Sequence, residues 1–200
     1  MTRGEFIGNI VRLQLQRTPI KVKGQGYLPE GIQSVTTAAI NAWGFVGWHD
    51  DAWVIDAHHK AHPSQRGGGR RPLSIGFTAH YLAMEARFGS APLGIAGENI
   101  IVDGPALSLT DLGSGLMVVG ADGSELVLER PRVAAPCVEF TSFMLGLDEV
   151  APRREIESPL ADLHDGRRGF IVAADHASTA VEISVGDAVH ALVDGTTHGV

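Results

Sequence analysis

Leu116-Met-Val-Val-Gly-Ala-Asp-Gly-Ser-Glu-Leu-Val-Leu-Glu129 reads as two strands folded back on each other. Its outer runs, 116–119 and 125–129, are rich in Val and Leu. Between them, Gly120-Ala-Asp-Gly123 supplies residues suited to the backbone angles of a tight hairpin. Further strand signals flank this hairpin. Val11, Leu13 and Leu15 alternate within 10–22, where Pro19 interrupts the run. Short apolar runs follow at 73–75, 99–102, 170–174 and 180–183. The stretch 35–55, which carries Trp43, Trp48 and Trp53, has no clean period and reads as mixed strand and loop. Two segments read as helix. One runs from Thr78, as N-cap, to Phe88 with Gly89 as its stop. The other runs from Cys137 to Leu147, with Phe140, Thr141, Met144 and Leu147 at three- and four-residue spacings. Many short strands and few helices predict a mainly β fold, an antiparallel barrel or sandwich with a few short helices inserted.

Two hundred residues suit a single domain spanning 1–200 and suffice for a sizeable core. The N-terminus lacks a basic start followed by an apolar stretch, and the chain has one cysteine, which together predict a cytoplasmic protein. No run approaches the length that spans a bilayer. A net charge of −7 argues against a nucleic-acid partner, since phosphate contacts need a basic surface. The cations are nevertheless thirteen arginines against three lysines, clustered at Arg66/Arg70/Arg71, Arg130/Arg132, Arg153/Arg154 and Arg167/Arg168. Planar guanidinium groups suit small anionic ligands. A GC-rich coding bias is the competing explanation for the arginine content.

Cys137 stands in Glu129-Arg-Pro-Arg-Val-Ala-Ala-Pro-Cys-Val-Glu-Phe-Thr141. In the first turn of a helix, near Arg130 and Arg132, a thiol would be stabilised as thiolate. The alternative is a cysteine that fills space. Upstream, Gly97-Glu98-Asn99 puts a carboxylate and an amide between apolar neighbours, so a buried Glu98 needs a base or hydrogen-bond donors. It would serve either as a structural pair or in orienting a ligand. His58 and His62, with His59 and Asp56, have ligand-like spacing for a metal if the segment is helical, although Pro63 and the following glycines oppose a helix. His49-Asp50-Asp51 is a similar cluster. Arg66-Gly-Gly-Gly-Arg-Arg71 lacks the ending of a phosphate-binding P-loop and reads as an exposed basic loop or a flap over an anion.

Arg70-Arg71-Pro-Leu-Ser-Ile75, His80-Tyr81, Gly97-Glu98-Asn99-Ile-Ile-Val-Asp-Gly104 and Pro136-Cys137, in that order, resemble the MOSC domain family, named after the C-terminal part of molybdenum cofactor sulfurases. The resemblance continues into Gly166-Arg-Arg-Gly-Phe170 and Val185-Gly-Asp-Ala-Val189, covering about 6–189. It implies a β-rich barrel with a cavity facing the cysteine. It also implies handling of sulfur or of the molybdenum cofactor (molybdopterin), a pterin with a dithiolene and a phosphate. On these positions Cys137 matches the cysteine proposed to carry a persulfide or to ligate molybdenum. Glu98 and Asn99 match the pocket loop, Arg71 the arginine before a short strand, and Arg168 the arginine of the closing Arg-Gly step. The chain departs from the pattern in Val133-Ala-Ala135 between Arg132 and Pro136, and in Gly113-Ser114 where Gly-Asp is expected. No lysine motif suggests a pyridoxal-phosphate module.

These readings converge on a stand-alone MOSC-like protein in which Cys137 acts in sulfur transfer or cofactor binding, with Arg71, Glu98, Asn99 and Arg168 around the ligand. A sulfur donor or redox protein would be its partner. Two alternatives stay open: a lyase or hydrolase using His49, His58 or His62 with Glu98, with or without a divalent metal, and a non-catalytic cofactor-binding module.

Overall fold

The computed structural model describes residues 1–22, 25–65, 73–174 and 179–193. The hairpin forms as predicted: β10 (Gly115–Val119) pairs in antiparallel register with β11 (Glu125–Val133), Leu116 facing Leu128 and Val118 facing Leu126. The Gly123 N–H closes the turn on the Gly120 carbonyl at 2.9 Å.

This hairpin is one side of a closed barrel. β11 pairs β12 (Phe170–Ala173), which pairs β8 (Leu73–Phe77), which pairs β9 (Ile100–Asp103). β9 pairs β1 (Thr2–Gln16), β1 pairs β14 (Ala188–Val193), and β14 returns to β10, closing a ring of seven strands. β8 and β9 run parallel, and the crossover they require is helix α1 (Thr78–Phe88). Gly89 ends α1 in the left-handed conformation, φ 85°. Phe77 is the N-cap residue, one position before the expected Thr78, whose hydroxyl is instead engaged by Asp103 and Gly104.

β1 starts eight residues earlier than its alternation suggested. Its first half is largely solvent-exposed and polar, so no apolar period marks it. Register shifts at Arg3/Phe6, Phe6/Gly8 and Ile10/Arg12 bend it. It thereby serves β14, β9 and, through Leu13–Gln16, the added strand β4 (Ile32–Val35).

The stretch 35–55 resolves into three strands, β5 (Thr37–Asn41), β6 (Gly44–His49) and β7 (Ala52–Ile55), in a second sheet completed by β13 (Val181–Ser184). All three tryptophans are exposed on it, and Trp48 meets Trp53 across the strands edge-to-face at 5.2 Å. Their outward placement explains why hydrophobicity gave no period there. Gly47 lets this sheet approach the barrel closely, because a Cβ there would lie 2.6 Å from Leu15 Cδ2.

The main core fills the barrel and the space beneath this sheet, with Phe45, Phe77 and Phe170 fully buried. A second core lies outside the barrel, around Tyr27, Tyr81, Met84, Ile101 and Phe140. β9 contributes to both: Ile100 and Val102 face inward, Ile101 outward. The outer core is roofed by α1 and α3 (Val138–Met144), while α2 (Leu109–Leu112) and α4 (Glu157–Asp162) are short. Among the described residues no helix is long and apolar enough to cross a membrane.

Candidate functional site

A cavity of about 280 Å³ opens where β8 and β12 meet the chain before β9. Glu98, Arg168, His58, Lys21, Gln16 and Ser74 supply its polar wall, and Ala134 and Ala135 flank them.

Gly97, with φ 85°, turns the chain so that Glu98 points inward from the start of β9. A Cβ at Gly97 would meet Ile20 at 2.6 Å and Gln16 Nε2 at 2.9 Å, so only glycine fits. Glu98 is 2 % exposed. Its Oε2 accepts a 2.5 Å hydrogen bond from the Tyr81 hydroxyl, while Oε1 is buried without a partner among the described residues. Burial pushes the Glu98 pKa up to about 7, against the Tyr81 hydrogen bond and the Arg168 charge, which pull it down.

Arg168 is buried as well. Its Nη1 donates to the Ala135 carbonyl at 3.1 Å, its guanidinium lies 4.9 Å from the Phe140 ring centroid, and Nε has no partner among the described residues. Tyr27 donates to the Ile95 carbonyl and stands within electrostatic reach of Arg168, Glu98 and Cys137. Burial raises both phenols, with Glu98 adding to the rise at Tyr81.

Asn99 plays a different part from the one its neighbour plays. Its Oδ1 accepts from Ser74 N and Oγ, and its Nδ2 donates to the Gln14 carbonyl and to Asp56 Oδ2 at 3.1 Å. Asp56 in turn accepts from Gln16 N at 2.6 Å and from His58 N at 2.7 Å. With its amide occupied on both sides, Asn99 ties β1, β8 and the turn after β7 together behind the cavity wall.

Cys137 is the N-cap of α3, one residue before the expected first turn, and its carbonyl accepts from Thr141 N and Oγ1. The thiol is half-buried against the outer core and is not part of the cavity wall. Arg130 and Arg132 occupy exposed positions of β11. His58 lines the cavity and pairs with Asp56 at 3.1 Å, whereas His62 Nδ1 meets Ser64 Oγ at 2.7 Å. The segment is a series of turns, so the two histidines share no helical face. Among the described residues no group of three or more His, Cys, Asp or Glu side chains is placed to hold a metal ion. His49 pairs with Asp50 at the β6–β7 turn and takes no part in the cavity. Arg71 and the glycine-rich stretch lie outside the described residues.

The model of the MOSC domain matches residues 62–190, well over half the chain. This chain belongs to the MOSC domain family. The expected mainly β barrel with a few short helices is what this MOSC domain has. Its fold is similar to that of the YuaD protein from Bacillus subtilis, at 14% identity and a TM-score of 0.54, over 93% of this chain and 97% of that one. It is also similar to a crystal structure described only as that of a hypothetical protein, at 13% identity and a TM-score of 0.53, over 96% of this chain and 71% of that one. No curated protein matches it.

Reading the sequence alone missed Tyr81 and Tyr27. His80-Tyr81 was in view, and α1 buries His80, Tyr81 and Met84, but only the fold turns Tyr81 onto a carboxylate seventeen residues along the chain. Gly76 and Gly169 were missed for the same reason: their importance lies in what they leave open beside Glu98.

Proposed function

We propose that this MOSC domain binds a small anionic ligand of the molybdenum-cofactor class in the Glu98–Arg168 cavity, with Cys137, which packs beside that cavity outside its wall, as the thiolate that carries sulfur or ligates the metal. The observation that carries this reading is that two residues of one cavity wall, Arg168 and Glu98, each bury a polar atom, Nε and Oε1, that has no hydrogen-bond partner among the described residues. Buried polar groups are nearly always satisfied, so an unsatisfied donor and acceptor together favour a ligand that meets both.

The cavity residues fit the anionic part of such a group. The phosphate of a phosphorylated pterin supplies an anion for Arg168 and an oxygen for the Glu98 carboxyl beside it. A cysteine sulfur is the soft ligand that a thiophilic metal takes. When bound, the cofactor would supply atom transfer to or from its metal. Arg168 would hold the anionic end, its guanidinium kept in plane by Ala135 and Phe140. Glu98 would stand against that same anionic end, and His58 and Lys21 would complete the wall.

In the sulfur-carrying form of this reading, the Cys137 thiolate attacks the sulfane sulfur of a donor. A sulfur–sulfur bond forms at Cys137, and the donor's bond to that sulfur breaks, with its electron pair leaving on the donor. The persulfide then passes its terminal sulfur to the acceptor and the thiolate is regenerated.

The test is intact mass with molybdenum and pterin analysis on anaerobically purified protein, beside Cys137→Ala. The mass of one extra sulfur atom, or bound molybdenum and pterin, that disappears in Cys137→Ala is the expected result. Sulfur, metal and pterin held equally by both proteins would overturn the role of Cys137.

A further inference from the structure

We infer that Glu98 is the acid–base group of this cavity, exchanging a proton at Oε1 with an oxyanion held against Arg168. This rests on the reading that the cavity binds an anion, and it goes beyond that reading by giving Glu98 a chemical step.

The geometry around the carboxyl argues for it. Tyr81 fixes Oε2, so the carboxyl is held by one oxygen, and the other, Oε1, is buried without a partner among the described residues. Two backbone segments, at Gly76 in β8 and at Gly169 just before β12, pass Oε1 with no side chain at all. A Cβ at Gly76 would stand 2.7 Å from Oε1, and one at Gly169 would stand 3.0 Å from Oε1 and 2.8 Å from Cγ. The protein thus packs tightly against Glu98, yet no side chain among the described residues donates to Oε1. A glutamate kept for structure would be paired, as its neighbour Asn99 is on both its amide atoms.

The surrounding groups leave Glu98 free to change charge. Tyr81 faces it from α1 and Tyr27 from β3 (Gly26–Tyr27), and both stay protonated because burial raises them. Arg168, just before β12, is a permanent cation. Lys21 and His58 share the cavity wall. Burial favours the neutral acid at Glu98, while Tyr81 and Arg168 stabilise the anion left after proton loss, so both forms are accessible near neutrality. In the step itself the O–H bond at Oε1 breaks and an O–H bond forms on the ligand oxygen. The carboxylate keeps the electron pair, and no electron changes hands. The suited ligand is an oxyanion that itself titrates near neutrality, such as a phosphate monoester.

The experiment is an infrared titration of the full chain, following the protonated carboxyl band with and without inorganic phosphate, in the wild type, Glu98→Gln, Tyr81→Phe and Arg168→Met. The wild type is expected to show one carboxyl band titrating near neutral pH, absent in Glu98→Gln. Tyr81→Phe, which keeps the ring and removes the hydrogen bond, shifts the band upward by about one pH unit. Phosphate is expected to change the band in the wild type but not in Arg168→Met. The absence of a neutral-range band, or its persistence in Glu98→Gln, overturns the inference. Phosphate that binds through Arg168 and leaves the band unchanged overturns the acid–base role while the anion cavity stands. Binding that is indifferent to Arg168→Met removes the cavity reading and the inference together.

Discussion

Tyr81 and Glu98 meet across the seam between α1 and the chain leading into β9, the phenol donating a 2.5 Å hydrogen bond to one carboxyl oxygen while the other is buried with no partner among the described residues. This contact joins the outer core to the site. It also makes the stability of the fold depend on the protonation of a single buried group.

The first prediction concerns pH. The Glu98 pKa is about 7 in the fold against 4.5 for an unperturbed glutamate. Between those values the native state holds a proton that the unfolded chain has lost, so stability falls as pH rises. The contribution is fully present below about 4.5 and gone above about 7. A shift of this size corresponds to on the order of 2–3 kcal/mol. Urea unfolding at pH 5 and pH 8 is expected to show this loss in the wild type and little of it in Glu98→Gln.

A second prediction separates Asn99 from its neighbour. Asn99→Ala breaks the links to Ser74, Gln14 and Asp56 and leaves Asp56, which is fully buried, short of a donor. A destabilisation of about 3 kcal/mol is expected. Asn99→Asp, which sets a second carboxylate against Asp56, should be worse. Thermal melts check both, and phosphate binding at temperatures where Asn99→Ala stays folded is expected to survive.

Gly169→Ala is expected to strike the fold and the site together. Gly169 has φ 82°, and an added Cβ would lie 2.7 Å from the Ile75 carbonyl oxygen as well as against Glu98. Strain and overpacking together predict a loss of about 2–4 kcal/mol. The Glu98 carboxyl band should move in any folded fraction.

Arg168 offers a graded comparison. Arg168→Met removes a charge that lowers the Glu98 pKa, so the carboxyl should titrate higher. Phosphate affinity should drop by about tenfold or more, the worth of one hydrogen bond to a charged group. Arg168→Lys keeps the charge without the planar fork that Ala135 and Phe140 hold, so it should restore the titration better than the affinity. Calorimetry with inorganic phosphate reads the second effect, and infrared titration reads the first.

Much of the architecture was legible where burial leaves a period in the residues. The 116–129 hairpin, the helix ending at Gly89 and the strand at Phe170 all lie where expected, because each is an apolar run or repeat against a core bounded by turn or capping residues. The misreadings fall where surface residues dominate. The exposed first half of β1 carries no apolar pattern, and outward-facing tryptophans hide three strands. At the site, Glu98 and Arg168 were visible as charges in apolar or arginine-rich surroundings and do share a cavity wall. Cys137 was visible too, but its relation to the wall was not: Ala134 and Ala135 line the cavity and the thiol packs beside it.

The sequence by itself determined a mainly β fold, a barrel or sandwich with a few short helices, and the residue types available for anion recognition. The fold class follows from short-range rules of strand composition and turn chemistry, and the family resemblance favoured the barrel. Only the tertiary structure decided that Glu98 is held by Tyr81 and left open at Oε1, while the adjacent Asn99 is spent on holding strands together. Those outcomes depend on contacts between residues far apart in the chain, and the fates of two neighbouring side chains just before β9 are set by which partners the barrel brings to each.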